Sequence, residues 1–235
     1  NSNFIFKKNS PTIVKKRYVD HSSGSKLFGI YNFNDEVLNK IDETNFQNKL
    51  INLIKKNYLI IVSDYGHGLI SEKCAKLICK YSKFLALNAQ VNAANIGYHT
   101  IRNYNNFNTL IINEKEIRHE MRNKVTKLKI LMKKLSKEKK INNLIVTRGG
   151  KGSILFNKKN NKFFVSEAYA KNIVDKIGAG DTMLSMIAMC LKSKLDHDVS
   201  LLISSLAAAQ SVENFGNKAS IKKIDILKTL ENILK

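Results

Sequence analysis

Two glycines around an alanine, followed at once by an acid, are the residues of this chain best spaced to do chemistry: Gly178-Ala179-Gly180-Asp181. Glycines let backbone N–H groups come close to a ligand. A helix starting there turns its open N–H groups and the positive end of its dipole toward an anion, above all a phosphate. The apolar run that follows, Met183, Leu184, Met186, Ile187 and Met189, reads as such a helix, and a buried one. Asp181 then stands where a carboxylate can take a proton beside that anion. The plainer alternative is a Gly-rich turn with Asp181 as the helix N-cap.

The elements that must position this segment follow from periodicity. Residues 12–19 and 26–31 read as two strands of a hairpin about Ser22-Ser23-Gly24. A helix is expected at 45–56, an apolar strand at 58–62 and a helix capped by Ser71. Strands are expected at 84–87, 109–112 and 144–147, with helical sequence over 114–137 broken near Asn123. Residues 152–156 and 162–165 read as a second hairpin, and three helices close the chain at 180–191, 198–213 and 221–234. Short apolar strands alternating with amphipathic helices predict an α/β fold with a doubly wound, mostly parallel sheet. Such sheets bind ligands beyond the carboxyl ends of their strands, and Asp64, Asn88, Asn113 and Thr147 each fall at one.

Four motifs occur in order: Ser63-Asp64-Tyr65-Gly66-His67-Gly68, Asn113-Glu114-Lys115-Glu116, Thr147-Arg148-Gly149-Gly150-Lys151-Gly152 and Asp175-Lys176-Ile177-Gly178-Ala179-Gly180-Asp181. On these the chain resembles the ribokinase-like (PfkB) carbohydrate kinases, nearest the heptose-phosphate kinase branch. The resemblance runs from about Thr12 to the C-terminus. It implies one kinase domain, with a β lid over about 12–33 and an α/β core over 45–235.

The activity it implies is ATP-dependent phosphorylation of a sugar or sugar phosphate, with a heptose phosphate as one expectation. By resemblance Asp181 is the general base, and Gly178, Ala179 and Gly180 form an anion hole with it. Thr147, Gly149, Gly152, Asn214 and Gly216 would contact nucleotide, and Ala207-Ala208-Ala209 would border the adenine. Asp64, Gly66 and Asn88 would face the acceptor. Asn113 and Glu116 would organise Mg2+ through water, although the same pair also reads as a helix N-cap and its capping partner. The glycines of 147–152 equally suit a strand-to-hairpin turn. His67 stands where the branch often has Lys, and Lys176-Ile177 replaces the frequent Thr-Thr. A homodimer through the β lid and a fused or separate nucleotidyltransferase are also implied. Members of the family begin with a strand and a Gly-Gly-x-x-x-Asn sugar segment, nothing like which precedes Asn1, and the resemblance begins partway into the fold, so an N-terminally incomplete chain is expected.

Composition sets the outer bounds. At 235 residues and 43% hydrophobic content the chain can bury one substantial core. No apolar run reaches the length of a membrane-spanning helix. Cys74, Cys79 and Cys190 lack metal-ligand spacing and read as reduced thiols of a cytoplasmic protein. His21, His99, His119 and His197 read as surface residues. The net charge of +21 raises a rival reading, a basic nucleic-acid-binding protein. Its densest lysine cluster, 124–140, alternates with Val125, Leu128, Leu131 and Leu135, so those lysines belong to the solvated face of a helix. No aromatic residue interleaves them as a stacking surface requires. No specific nucleic acid and no membrane are therefore expected as partners. A catalytically idle kinase-like module is the second rival.

Overall fold

A central sheet whose inner strands are buried on both faces organises the molecule. In the computed structural model the described residues are 3–20, 22, 26–91, 95, 99–170, 172–175, 177–213 and 220–234. Among them the strands form two sheets. The smaller is an antiparallel hairpin of β1 (Val14–Val19) and β2 (Lys26–Asn32). The larger has the order β3 (Ile60–Asp64), β4 (Leu85–Ala89), β5 (Thr109–Asn113), β6 (Asn143–Thr147), β7 (Ser153–Asn157) and β8 (Lys162–Ser166). Strands β3 to β6 are parallel, and β7 and β8 are antiparallel additions.

Strand order rises without reversal, so each parallel crossover turns the same way and its helix falls on one face. That face carries α1 (Lys40–Lys56), α2 (Glu72–Tyr81), α3 (Glu114–Glu120) and α4 (Leu128–Glu138). Leu87, Leu110, Leu144 and Val146 meet Ile54, Ile78, Ile117, Leu131 and Leu135 there. The intervening strand residues Ala86, Ile111, Ile145 and Leu155 point the other way. They pack on α5 (Ala179–Lys192) and α6 (His197–Val212) through Met183, Leu184, Ile187 and Leu201. The period of two along a strand thus builds two cores from one sheet. The last helix, α7 (Lys223–Leu234), rests on α6 through Ile226.

Local details differ from the sequence reading for clear reasons. Helix α1 begins at Lys40 rather than 45, because Asn39 caps it by accepting from the Asp42 N–H at 2.9 Å. The break near Asn123 is real, and its side chain accepts from the N–H groups of Val125 and Thr126. Val125 consequently lies outside α4 and is exposed, while Leu131 and Leu135 are buried as expected. His99 and His197 are not simple surface residues. His99 lies against the Asp64 carbonyl, and His197 contacts Asn157 and Asn143. His119 is exposed, and His21 lies outside the described residues.

Candidate active site

The carboxyl ends of β3 to β6 lie level, with Ser63 beside Asn88 and Asn113 beside Thr147 in register. Ser63, Asn88, Asn113 and Thr147 each share strand parity with a residue that packs with α5 (Leu59, Ala86, Ile111 and Ile145). Their side chains therefore project toward the helix that carries Asp181. Helix α5 opens at Gly178, whose φ of 87° lies in the left-handed region where a Cβ is costly. The first hydrogen bond of the helix runs from the Thr182 N–H to the Gly178 carbonyl at 2.8 Å. The N–H groups of Ala179, Gly180 and Asp181 precede that ladder, and no side chain caps them. Asp181 is thus an acid of the first helical turn, not the N-cap. A Cβ built on Gly180 would meet nothing within 4 Å, so open space lies against this turn.

A cleft of about 650 Å³ fills that space. It is bordered by Gly178, Gly180 and Asp181 at the start of α5, by Asn88, Asn113 and Thr147 from the sheet edge, by Glu116 of α3, and by Lys15 and Arg17 of the hairpin with Ile13 just before it. Tyr65, His67 and Gln90 complete the wall between them. Sequence reasoning assigned no role to Ser63 and took Tyr65 only as part of the Asp64–Gly68 acceptor-side segment, yet both grip the central acid. The Ser63 hydroxyl donates to Asp181 Oδ1 at 3.0 Å and the Tyr65 hydroxyl to Oδ2 at 3.2 Å. Burial holds the Tyr65 phenol above its ordinary pKa; Ser63 opposes this, and the nearby Asp181 charge adds to it. Tyr65 therefore stays protonated and remains a donor. The signal for these residues was strand parity: Ser63 and Tyr65 are two apart and face α5, whereas Asp64 between them does not.

Asp64 points into the opposite core. Its Oδ2 accepts from the Tyr104 hydroxyl at 2.7 Å and its Oδ1 from the Gly66 N–H at 3.0 Å. Burial and the adjacent Asp64 charge push the Tyr104 phenol far above its ordinary pKa, so it too remains a donor. Neither Asp64 nor Gly66 borders the cleft. Together they shape the turn that presents Tyr65 and His67. Asn88 does border it, with its amide donating to the Ile111 carbonyl at 2.9 Å.

Of the residues expected to contact nucleotide, Thr147 borders the cleft while Gly149 and Gly152 do not. Gly152 has φ of 72°, and a Cβ there would stand 2.0 Å from the Ser166 carbonyl oxygen. That glycine serves the turn into β7. Asn214 and Gly216 lie outside the described residues. Ala207 is buried against α7.

Asn113 and Glu116 form a full capping box at the start of α3. Asn113 Oδ1 accepts from the Glu116 N–H at 2.8 Å, and Glu116 Oε2 accepts from the Asn113 N–H at 2.9 Å. Glu116 Oε1 also accepts from the Val91 N–H at 3.2 Å. Burial raises the Glu116 pKa, with the Asn113 and Val91 N–H groups pulling it down. Each carboxylate oxygen keeps a lone pair beyond its one N–H bond. Among the described residues no three acids, histidines or cysteines converge on a cation position. The donor set fits a magnesium ion held mainly by water and phosphate oxygens, with Glu116 behind the water, and does not fit a protein cage.

The model of the "pfkB family carbohydrate kinase" family matches residues 2–224. The chain is 30% identical over 185 residues to the bifunctional protein HldE of Campylobacter fetus, covering 77% of this chain and 39% of that protein. It is 28% identical over 203 residues to HldE of Campylobacter curvus, covering 85% and 39%. The chain thus spans well under half the length of these curated relatives. Phosphofructokinase-2 from Escherichia coli, solved with substrates and products, superposes with a TM-score of 0.72 at 16% identity, over 94% of this chain and 71% of that one. Ribokinase from Thermotoga maritima gives 0.68 at 21% identity, over 95% and 71%. No described helix is long and apolar enough to cross a membrane.

Proposed function

The chain belongs to the PfkB family of carbohydrate kinases, and on that premise we propose that it transfers the γ-phosphoryl group of ATP to a hydroxyl of a sugar or sugar phosphate, with Asp181 as the general base. The observation that carries the proposal is the position of Asp181: its carboxylate shares the cleft with the uncapped N-terminus of α5. A donor phosphate at the Ala179, Gly180 and Asp181 N–H groups lies beside a carboxylate that can take the acceptor's proton. The acceptor O–H bond gives its proton to Asp181, a new O–P bond forms, and the bond from phosphorus to the ADP oxygen breaks. Phosphoryl transfer asks little more of a protein than this positioning and charge stabilisation.

Ser63 and Tyr65 hold the carboxylate in place, and an incoming hydroxyl takes over one of those contacts. Glu116, with Asn113 beside it, would hold the waters of Mg2+, which supplies charge neutralisation of the donor phosphates. Thr147 lies on the nucleotide side and Asn88 within reach of the acceptor. The HldE relatives support a heptose phosphate as acceptor and a nucleotidyltransferase, fused or separate, as the next activity. A cytoplasmic setting fits the free thiols of Cys74, Cys79 and Cys190. A homodimer through the hairpin fits its outward face, where Val14, Tyr18, Phe28 and Ile30 are exposed and Tyr18 stacks on Phe28 at 4.5 Å.

The nucleic-acid rival is tested by titrating duplex DNA, single-stranded RNA and MgATP against salt. Counterion release makes non-specific nucleic-acid binding fall steeply with salt. The proposal expects that steep loss for both nucleic acids and a shallow dependence for MgATP, together with ADP release in the presence of sugar phosphates. Tight nucleic-acid binding at physiological salt, with no nucleotide binding, would replace this reading.

A further inference from the structure

Tyr65 reaches the central acid from a turn, and a side chain on a turn is only as fixed as the backbone beneath it. Here that backbone is fastened by the segment between β4 and β5. The Asp64 carbonyl accepts from the Gln90 N–H at 2.8 Å, which continues the β3–β4 ladder. The same carbonyl lies 3.2 Å from His99 Nε2; a carbonyl can only accept, so that nitrogen donates. The Tyr65 carbonyl accepts from Asn95 Nδ2 at 3.0 Å, and the Gly66 N–H donates to Asp64 Oδ1 at 3.0 Å. Gly66 has φ of 69°, and a Cβ there would stand 2.4 Å from the His99 ring and 2.7 Å from the Asn95 amide.

Asp64 is the hub of this arrangement. It is buried, and while one oxygen holds the Gly66 N–H, the other accepts from the Tyr104 hydroxyl at 2.7 Å. Tyr104 is itself fully buried, in the core with Ile101 and Phe107, and it closes the 3-10 turn Ile101–Asn103. A buried carboxylate that loses a donor must turn toward another or draw in water. Either change competes with its hold on Gly66. The Tyr65 hydroxyl stands 3.2 Å from Asp181 Oδ2, at the long end for such a bond, so a small displacement of the turn breaks it. Asn95, His99 and Tyr104 lie outside all four sequence motifs and, like Asp64, do not border the cleft.

We propose that Tyr104 is a positioning residue for phosphoryl transfer: through Asp64 it fixes the turn from which Tyr65 holds Asp181. This rests on the kinase reading above and adds a residue to its machinery. The contacts run from the core to the base: Tyr104 hydroxyl, Asp64 carboxylate, Gly66 N–H, Tyr65 phenol, Asp181 carboxylate. His99 and Asn95 fasten the backbone of that path. Tyr104 touches neither reactant and moves no proton. The base stands on the α5 side of the sheet, yet its orientation is set from the core on the other side.

The test is a double-mutant cycle on the whole chain: Tyr104→Phe, Tyr65→Phe and the two together. Single-turnover transfer from MgATP to mannose 6-phosphate and to a manno-heptose 7-phosphate is measured per nucleotide-binding molecule, counted by calorimetry. Tyr104→Phe is expected to slow transfer about threefold to tenfold, part of the worth of one hydrogen bond to a charged group, with MgATP affinity unchanged. In the Tyr65→Phe background it should slow transfer no further. A second readout needs no turnover. The 13Cζ signal of Tyr65, assigned by its loss in Tyr65→Phe, reports the titration of a phenol held above its ordinary pKa by burial and by Asp181. Tyr104→Phe should bring that titration back toward the ordinary value. Equal slowing of wild type and Tyr65→Phe would overturn the proposal. So would stability lost in urea with the rate and the Tyr65 titration unchanged, since Tyr104 would then be a packing residue only. A shifted Tyr65 titration with no transfer by any protein, wild type included, would keep the positioning and refute the kinase reading. Should Tyr104→Phe not bind nucleotide, His99→Ala at its half-buried site enters the same cycle: coupling to Tyr65→Phe supports the brace, and additivity overturns it.

Discussion

The six-stranded sheet and the two-stranded hairpin border the same cleft but are stabilised in opposite ways. Every residue of β7 and the first four of β6 are buried, with helices on both faces of the sheet. Of the six residues of β1, only Lys15 is even half-buried. The sheet is a frame whose geometry its own core enforces. The hairpin is a two-stranded unit without such a core, and units of that size are marginal unless something covers them. Fixed geometry at the sheet edge suits a base and an anion hole, which lose effect if displaced by an ångström. A lightly anchored hairpin bearing Lys15 and Arg17 suits a cover that adjusts to a ligand.

Paired substitutions in the two sheets should show the sharpest contrast. Ile145 on β6 is fully buried against α5, so Ile145→Ala is expected to cost about 2–5 kcal/mol of stability. Ile30 on β2 is 52% exposed, so Ile30→Thr should stay within about 0.5 kcal/mol. Urea unfolding of both variants measures this. Equal costs would mean that the hairpin is as firmly packed as the sheet.

A smaller effect is expected where the sheet meets the chemistry. Tyr65→Phe removes one of two hydroxyls held on Asp181 and leaves the ring in place. Turnover should fall about threefold to thirtyfold, the range of one hydrogen bond to a charged group at 1.5–3 kcal/mol discounted for its exposure. MgATP affinity should not change. An unaffected rate would mean that Ser63 alone positions the base.

The smallest effect concerns pH. Arg118 and then Arg148 hold the Glu114 carboxyl below its ordinary pKa. A depressed carboxylate contributes stability above its unfolded pKa, and that contribution is lost as pH falls through the folded value. Wild type should therefore lose stability relative to Glu114→Gln as pH drops below about 4.5, with the gap constant above it. Parallel stability curves for the two proteins across that window would remove the Glu114 pairing as a source of stability.

Much of the frame was legible because strand length and apolar content mark buried strands. The mixed α/β architecture, the hairpin at the N-terminal end and the break near Asn123 all follow from local pattern. So did the residues at the strand ends, since Asn88, Asn113 and Thr147 all border the cleft. The face on which a residue points was harder to read. Asp64 reads as an acceptor-side residue in the sequence, yet parity turns it toward Tyr104 and turns its neighbours toward Asp181. That assignment needs to know which face α5 covers, a contact between residues more than a hundred positions apart. The cations of β1 were hidden for a similar reason. In a chain of +21 charge, Lys15 and Arg17 stand out only once the hairpin folds over the cleft.

The central claim is that Asp181 takes the acceptor's proton beside the α5 anion hole. It is tested most directly by single-turnover phosphoryl transfer from ATP to a sugar phosphate, measured for wild type and Asp181→Asn with MgATP affinity recorded alongside. The account predicts a rate at least about a hundredfold lower in the variant, the usual scale of lost general-base catalysis. MgATP binding should stay nearly unchanged, since the N–H groups of Ala179 and Gly180 remain. A near-normal rate in Asp181→Asn would contradict it.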